Sequence, residues 1–158
     1  MICNKLKECF GGRNNCRFIN LSSNKIISCI ERKKTYRLIN SDDTLVGKLR
    51  IDDGCINTDS IKKCDYIFEF NDYNDSFIGI FIELKGSDFL RAVSQIIETL
   101  NCYSSLFNKC FARIICSSGT RYITTDPKCI ALKKRIIELK GDFRWFSNIG
   151  EDNISSMK

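Results

Sequence analysis

Three side chains in this sequence have the types and spacing for metal-assisted hydrolysis: Asp65, Glu83 and Lys85. They lie in the stretch from Lys63 to Leu100, KCDYIFEFNDYNDSFIGIFIELKGSDFLRAVSQIIETL. Two carboxylates with the Leu84 strand carbonyl between Glu83 and Lys85 make a hard oxygen site that suits Mg²⁺, with Mn²⁺ as a substitute, better than zinc. A phosphodiester would complete such a site. The metal can polarise a phosphoryl oxygen and lower the pKa of a bound water, while a lysine orients or deprotonates that water. The plainer alternative is a strand-end charge cluster with no chemistry, although a buried strand ending in paired acids is costly.

For these groups to meet, the chain must form a hairpin. Cys64 to Phe70 is rich in aromatic and β-branched residues, Asn71 to Ser76 has turn chemistry, and Phe77 to Leu84 is almost continuously apolar. This pattern predicts two antiparallel strands, the second buried on both faces. Pairing Phe70 with Phe77 sets Asp65 opposite Ile82 to Glu83. Glu83 and Lys85, two apart in a strand, then share a face.

An Asp opening one strand and Glu83-Leu84-Lys85 closing the next resembles the PD-(D/E)XK nuclease superfamily, the restriction-endonuclease-like fold. Cys64 stands where that pattern has Pro. The resemblance implies an α/β (α+β) domain with an αβββαβ core, a central mixed β-sheet flanked by helices. It also implies that a polar residue on the following helix reaches the site, for which Gln95 is the candidate, and that a Glu on the first helix reaches the metal, for which Glu31 is the candidate. A second Glu-Leu-Lys triplet, Glu138 to Lys140, falls inside a helical pattern and has none of this context.

The whole chain, residues 1–158, reads as one domain. Its charge is unevenly spread. Residues 1–37 carry nine Lys/Arg against two Asp/Glu, residues 38–98 six against twelve, and residues 99–158 ten against five. An acidic centre framed by basic flanks suits a metal site beside surfaces that hold a polyanion, or simply a mildly basic solvated surface. With no histidine, Ser-His-Asp and Cys-His catalysis are excluded, so proton transfer falls to carboxylates, lysine or metal-bound water. The ten cysteines include no Cys-X-X-Cys pair. Residues 1–12 lack an apolar signal core and no apolar run approaches a membrane span, so a cytoplasmic protein with reduced thiols is expected.

Around the hairpin, Ser22 to Asn24 can cap a first core helix with Ile26, Ile27 and Ile30 as its stripe and Arg32 to Lys34 at its positive end. Thr35 to Asn40 and Leu45 to Ile51 read as a preceding hairpin, followed by an Asp52-Asp53-Gly54 turn in which Asp53 is a candidate second-shell acid. Ser87 or Asp88 caps a helix from Phe89 to Asn101, with Phe89, Val93, Ile96, Ile97 and Leu100 buried and Gln95 on the polar side. Phe111 to Ser117 is the next strand and Arg121 to Thr124 a further candidate. Asp126-Pro127 starts a helix reaching Lys140, with Ile130, Ile136, Ile137 and Leu139 inward. Lys128, Lys133, Lys134 and Arg135 on that helix could contact phosphates or form a solvated face. Trp145 could stack on a base, or lid the core together with Phe143 and Phe146. From Gly150 the tail reads as loose.

The sequence is therefore read as a metal-dependent nuclease, with DNA before RNA as substrate and a nuclease core over about residues 24–117. Asp65, Glu83 and the Leu84 carbonyl bind metal, and Lys85 positions water. The competing reading is an uncutting nuclease-like protein that clamps nucleic acid or binds another protein, such as a toxin. A homodimer is compatible with either.

Overall fold

Strands dominate the chain, and the central one is the apolar segment before Glu83. The computed structural model describes residues 19–52 and 62–158. In chain order these form β1 (Ile19–Ser22), β2 (Ile26–Glu31), β3 (Lys34–Ile39), β4 (Val46–Arg50), β5 (Tyr66–Asn71), β6 (Phe77–Leu84), α1 (Phe89–Tyr103), β7 (Lys109–Cys116), α2 (Pro127–Glu138), β8 (Phe143–Ser147) and β9 (Ile149–Asn153). A six-stranded mixed sheet has the order β1-β4-β5-β6-β7-β8, and a three-stranded sheet the order β2-β3-β9. The architecture is α+β.

Residue alternation divides the large sheet's two faces. Leu49, Ile67, Phe81, Ala112 and Ile114 pack under α1 and α2 with Phe89, Val93, Ile96, Leu100, Leu132 and Ile136. Phe68, Phe70, Ile78, Ile80 and Ile82 point the other way, against Ile27, Tyr36 and Leu38 of the small sheet. Both faces of β6 are thus covered, and every residue after Phe77 in it is buried. The β5–β6 register runs from Asn71 opposite Phe77 to Tyr66 opposite Ile82, one residue away from the Phe70–Phe77 pairing expected. β6 and β7 are parallel, joined through α1. No helix among the described residues is long and apolar enough to cross a membrane.

Several expected elements fold differently. Residues 26–39 make a β-hairpin, not a first helix, so the expected helix-first order is replaced by strands in this region. The run Ile26-Ile27-Ser28-Cys29-Ile30 alternates: Ile27 and Cys29 are buried while Ile26 and Ile30 are exposed. β-branched density and a period of two win over the possible Ser22 to Asn24 cap. β3 then pairs with β2 and β9, and β4 pairs with β1 and β5, so the expected β3–β4 hairpin is absent. The Asn40 side chain redirects the chain between sheets, donating to Asn24 O and Thr44 O and accepting from Thr44 N.

Toward the C-terminus, residues 121–123 form no strand; Tyr122 lays its ring against Phe89 and Trp145. α2 buries Cys129, Leu132 and Ile136, leaving Ile130 and Ile137 exposed and Leu139 partly buried. The aromatic trio splits, Phe143 and Trp145 joining the helix side and Phe146 the small-sheet side. The tail is ordered: β9 extends the small sheet and Ile154 and Met157 are buried. A two-residue alternation in Gly150 and Asp152, polar by composition, hid this strand.

Asp152 is inward because it meets a cation. Arg113 on β7, 1% exposed, ion-pairs through Nε with Asp152 at 2.5 Å and through Nη2 with Asp142 at 2.6 Å. Tyr36 donates its hydroxyl to Asp152 at 3.0 Å, so one network ties the large sheet to β3 and β9. Arg113→Met should cost about 3–5 kcal/mol in urea unfolding, because it leaves the buried Asp152 with only the half-exposed Arg144 as a cation. Arg113→Met with Asp152→Leu should recover most of that loss; a single variant losing under about 1 kcal/mol would show that the network does not clamp the sheets.

Candidate active site

The end of the β5–β6 hairpin carries the expected convergence. Extending the observed register by one residue sets Asp65 beside Glu83. The pair interlocks through the backbone: Asp65 N donates to Glu83 Oε2 at 3.2 Å, and Leu84 N donates to Asp65 Oδ2 at 2.7 Å. Lys85 Nζ lies 3.6 Å from Glu83 Oε1 and donates to Gln95 Oε1 at 3.0 Å. Gln95 Nε2 in turn donates to Lys63 O at 3.0 Å, which fixes the amide's orientation. Asp65, Glu83, Lys85 and Gln95 are therefore one connected group.

Gln95 is buried, contrary to its expected place on the polar side of α1. α1 begins at Asp88, whose carboxylate accepts from Arg91 N, and its buried face spans Ala92, Val93, Ser94, Gln95, Ile96 and Thr99. That face is wider than the apolar stripe alone, since Thr99 and Gln95 have backbone partners inside. Thr99 Oγ1 accepts from Cys64 N at 2.8 Å and donates to Gln95 O at 2.7 Å. These bonds hold the entry to β5 against α1.

Burial governs the electrostatics. The Asp65 carboxyl is pushed up to about 7, first by desolvation and then by the charges of Glu31 and Asp52, against the Leu84 N–H and Lys85. Glu83 is raised well above the carboxylate range by burial and by Asp65, with Lys85 opposing. Two crowded, dry carboxylates are thus shifted toward the protonated form, and a cation between them would favour their ionised form. Cys64 and Cys116 flank the pair as thiols: burial raises both, Cys116 to about 11, so neither is poised as a nucleophile.

Other expected residues fall at different distances. Glu31 ends β2 on the small sheet, not on a helix, and its charge is still felt at Asp65. Asp53 lies outside the described residues. Of the paired acids Asp52-Asp53, which read chiefly as a turn with Asp53 as the candidate, it is Asp52 that stands near the site: Lys63 Nζ lies 3.5 Å from Asp52 and the Asp52 charge raises both Asp65 and Glu83. Ile51 N donates to Asp65 O, so Asp52 stands at the same sheet end as the carboxylate pair. Lys128, Lys133, Lys134 and Arg135 are exposed on α2. Arg135 donates to Ser104 near the start of β7, whereas Glu83 stands opposite Ile114, about 17 Å further along that strand at 3.3 Å per residue. Among the described residues no three His, Cys, Asp or Glu side chains form a metal-holding group.

Comparison with protein-family models, curated proteins and solved structures finds no match to this chain. The site therefore stands on its own geometry.

A further carboxylate shares the helix-covered face without joining the site. Glu69, 1% exposed, is raised to about 8 by desolvation, and its Oε1 has no hydrogen-bond partner. Gly47 and Gly79 pair on either side of it, and a Cβ on Gly47 would come within 2.8 Å of Glu69 Oε1. Between its unfolded and folded pKa values, the native carboxyl keeps a proton that the unfolded chain has released. Stability thus falls as pH rises from about 5 to 8. Glu69→Gln should remove its share of that slope, leaving the part due to Asp65 and Glu83, and raise stability at pH 9 by about 2–4 kcal/mol, read by urea unfolding across pH. An unchanged slope would place the titration elsewhere.

Proposed function

We propose that this protein is a metal-dependent nuclease that hydrolyses phosphodiester bonds, DNA before RNA. The observation that carries the reading is the convergence of Asp65, Glu83, Lys85 and Gln95 at one strand end. Its closeness to the PD-(D/E)XK pattern lies in the hairpin, the Glu83-Leu84-Lys85 triplet and the following helix that supplies Gln95.

The donor set fits Mg²⁺ or Mn²⁺ as far as the chain supplies it. Asp65 and Glu83 are hard oxygen donors whose burial and mutual repulsion favour a cation between them, and the Leu84 carbonyl is the third protein oxygen in the reading. With only two carboxylates the protein leaves positions for substrate oxygens, as Mg²⁺ sites at phosphates commonly do. The bound cation would supply charge that polarises a phosphoryl oxygen. Lys85 is held by Glu83 and Gln95 with its side chain 22% exposed, against 2% for Glu83, so it is the group that an incoming water or phosphate oxygen meets.

Labelled single- and double-stranded DNA and RNA, incubated with Mg²⁺ or Mn²⁺, test the reading. Cleavage should require metal and fall at least about 100-fold in Glu83→Ala and Lys85→Ala, the scale of losing one charge-stabilising group. Metal should also raise the melting temperature of the wild type and not of Glu83→Ala. No cleavage of any substrate, with no metal-induced stabilisation, would sink the enzyme reading and leave a nucleic-acid- or protein-binding role.

A further inference from the structure

The β2–β3 turn is the least expected feature at the site end of the molecule. Arg32 and Lys33 both adopt left-handed backbone, with φ of 45° and 65°. Two-residue hairpin turns of this shape favour Asn-Gly, because a Cβ is crowded there. Lys34 closes the turn from inside, its buried Nζ donating to Arg32 O at 3.0 Å. Arg32 and Lys33 are exposed, and among the described residues their side chains make no hydrogen bond or ion pair. Nothing in the fold requires cations at these two positions.

Three backbone hydrogen bonds connect this turn to the carboxylate site. Thr35 N donates to Asn148 O, Asn148 N donates to Cys116 O, and Lys85 N donates to Ile115 O. β3 therefore starts over the C-terminal ends of β6 and β7. The turn's two flanks also sense the site: Glu31 acts on Asp65, and Lys34 acts on Cys116, which feels Glu83 and Lys85.

We propose that Arg32 and Lys33 bind backbone phosphates of the nucleic-acid strand whose scissile bond lies at Asp65, Glu83 and Lys85. This rests on the nuclease reading and adds where the substrate runs: across the small-sheet turn. Such contacts read charge and not base identity, so they position the strand without selecting a sequence.

The double variant Arg32→Asn/Lys33→Gly removes both cations and gives the turn the residues it favours, so its melting temperature should equal or exceed that of the wild type. Affinity for fluorescent DNA is measured without divalent metal over a salt series. It should fall about tenfold or more near 0.1 M salt, and the slope of log affinity against log salt should shrink by about 1.8 for duplex or 1.4 for single strands. The charge-keeping pair Arg32→Lys/Lys33→Arg should restore both. A stable double variant with unchanged affinity and slope, while the wild type binds and cleaves, overturns this inference and leaves the nuclease reading standing. A wild type that neither binds nor cleaves any nucleic acid overturns both.

Discussion

The structure depends on one constraint: a strand dry on both faces has to end in charge. β6 is covered by helices on one side and the small sheet on the other, and its last buried residues are Glu83 and Leu84. An unpaired buried carboxylate is prohibitively costly, so neighbouring elements supply partners. β5 brings the Asp65 N–H, the chain beyond β6 brings Lys85, and α1 brings Gln95 to hold that lysine. The opposite face answers the same problem with an ion-pair network around Arg113, where two carboxylates hold one guanidinium and the Tyr36 hydroxyl donates to one of them. The two solutions differ in one respect. Arg113 is fully matched by acids, whereas Asp65 and Glu83 have only Lys85 as a cation within contact distance and are pushed toward the protonated form, protons that a divalent cation would displace.

Much of the candidate site was legible because it is local. A hairpin needs only an apolar alternation, a turn and a register, and the Phe77 to Leu84 run fixes where the second strand ends. A shift of one residue in the hairpin pairing still leaves Asp65 near Glu83, because either Ile82 or Glu83 then falls opposite it. Gln95 was harder. Its helical position is off the apolar stripe, and only the Lys63 carbonyl and Lys85, both distant in sequence, explain its burial. A hydrophobic pattern cannot reveal a polar residue that is inside because its partners are.

The misread elements share a different cause. Residues 26–34 contain isoleucines at spacings compatible with either period, and a hairpin was hidden because Arg32-Lys33 lacks the Asn-Gly signature of its turn. β9 was hidden because its inward residues are Gly150 and Asp152, and Asp152 is tolerable inside only through Arg113 and Arg144. α2 shows the reverse case: Ile130 and Ile137 look like core residues by type, yet Cys129, Leu132 and Ile136 form the face that meets the sheet.

Charge placement follows from these corrections. Had residues 24–34 been helical, Arg32 to Lys34 would sit at a helix C-terminus, where cations complement the dipole and carry no message about ligands. As a strained turn bearing two uncommitted cations, the same residues acquire a different meaning. Strain of this kind persists only where the surroundings hold it, here β2–β3 pairing and the Lys34 hydrogen bond, and it clusters where proteins bind ligands. The long basic run on α2 is the stronger signal by composition, but Arg135 at its C-terminal end lies beside Ser104, at the far end of β7 from Glu83. The β2–β3 turn, in contrast, is tied by backbone hydrogen bonds to the strand ends where Asp65 and Glu83 meet, which is where a surface guiding a polyanion to them has to stand.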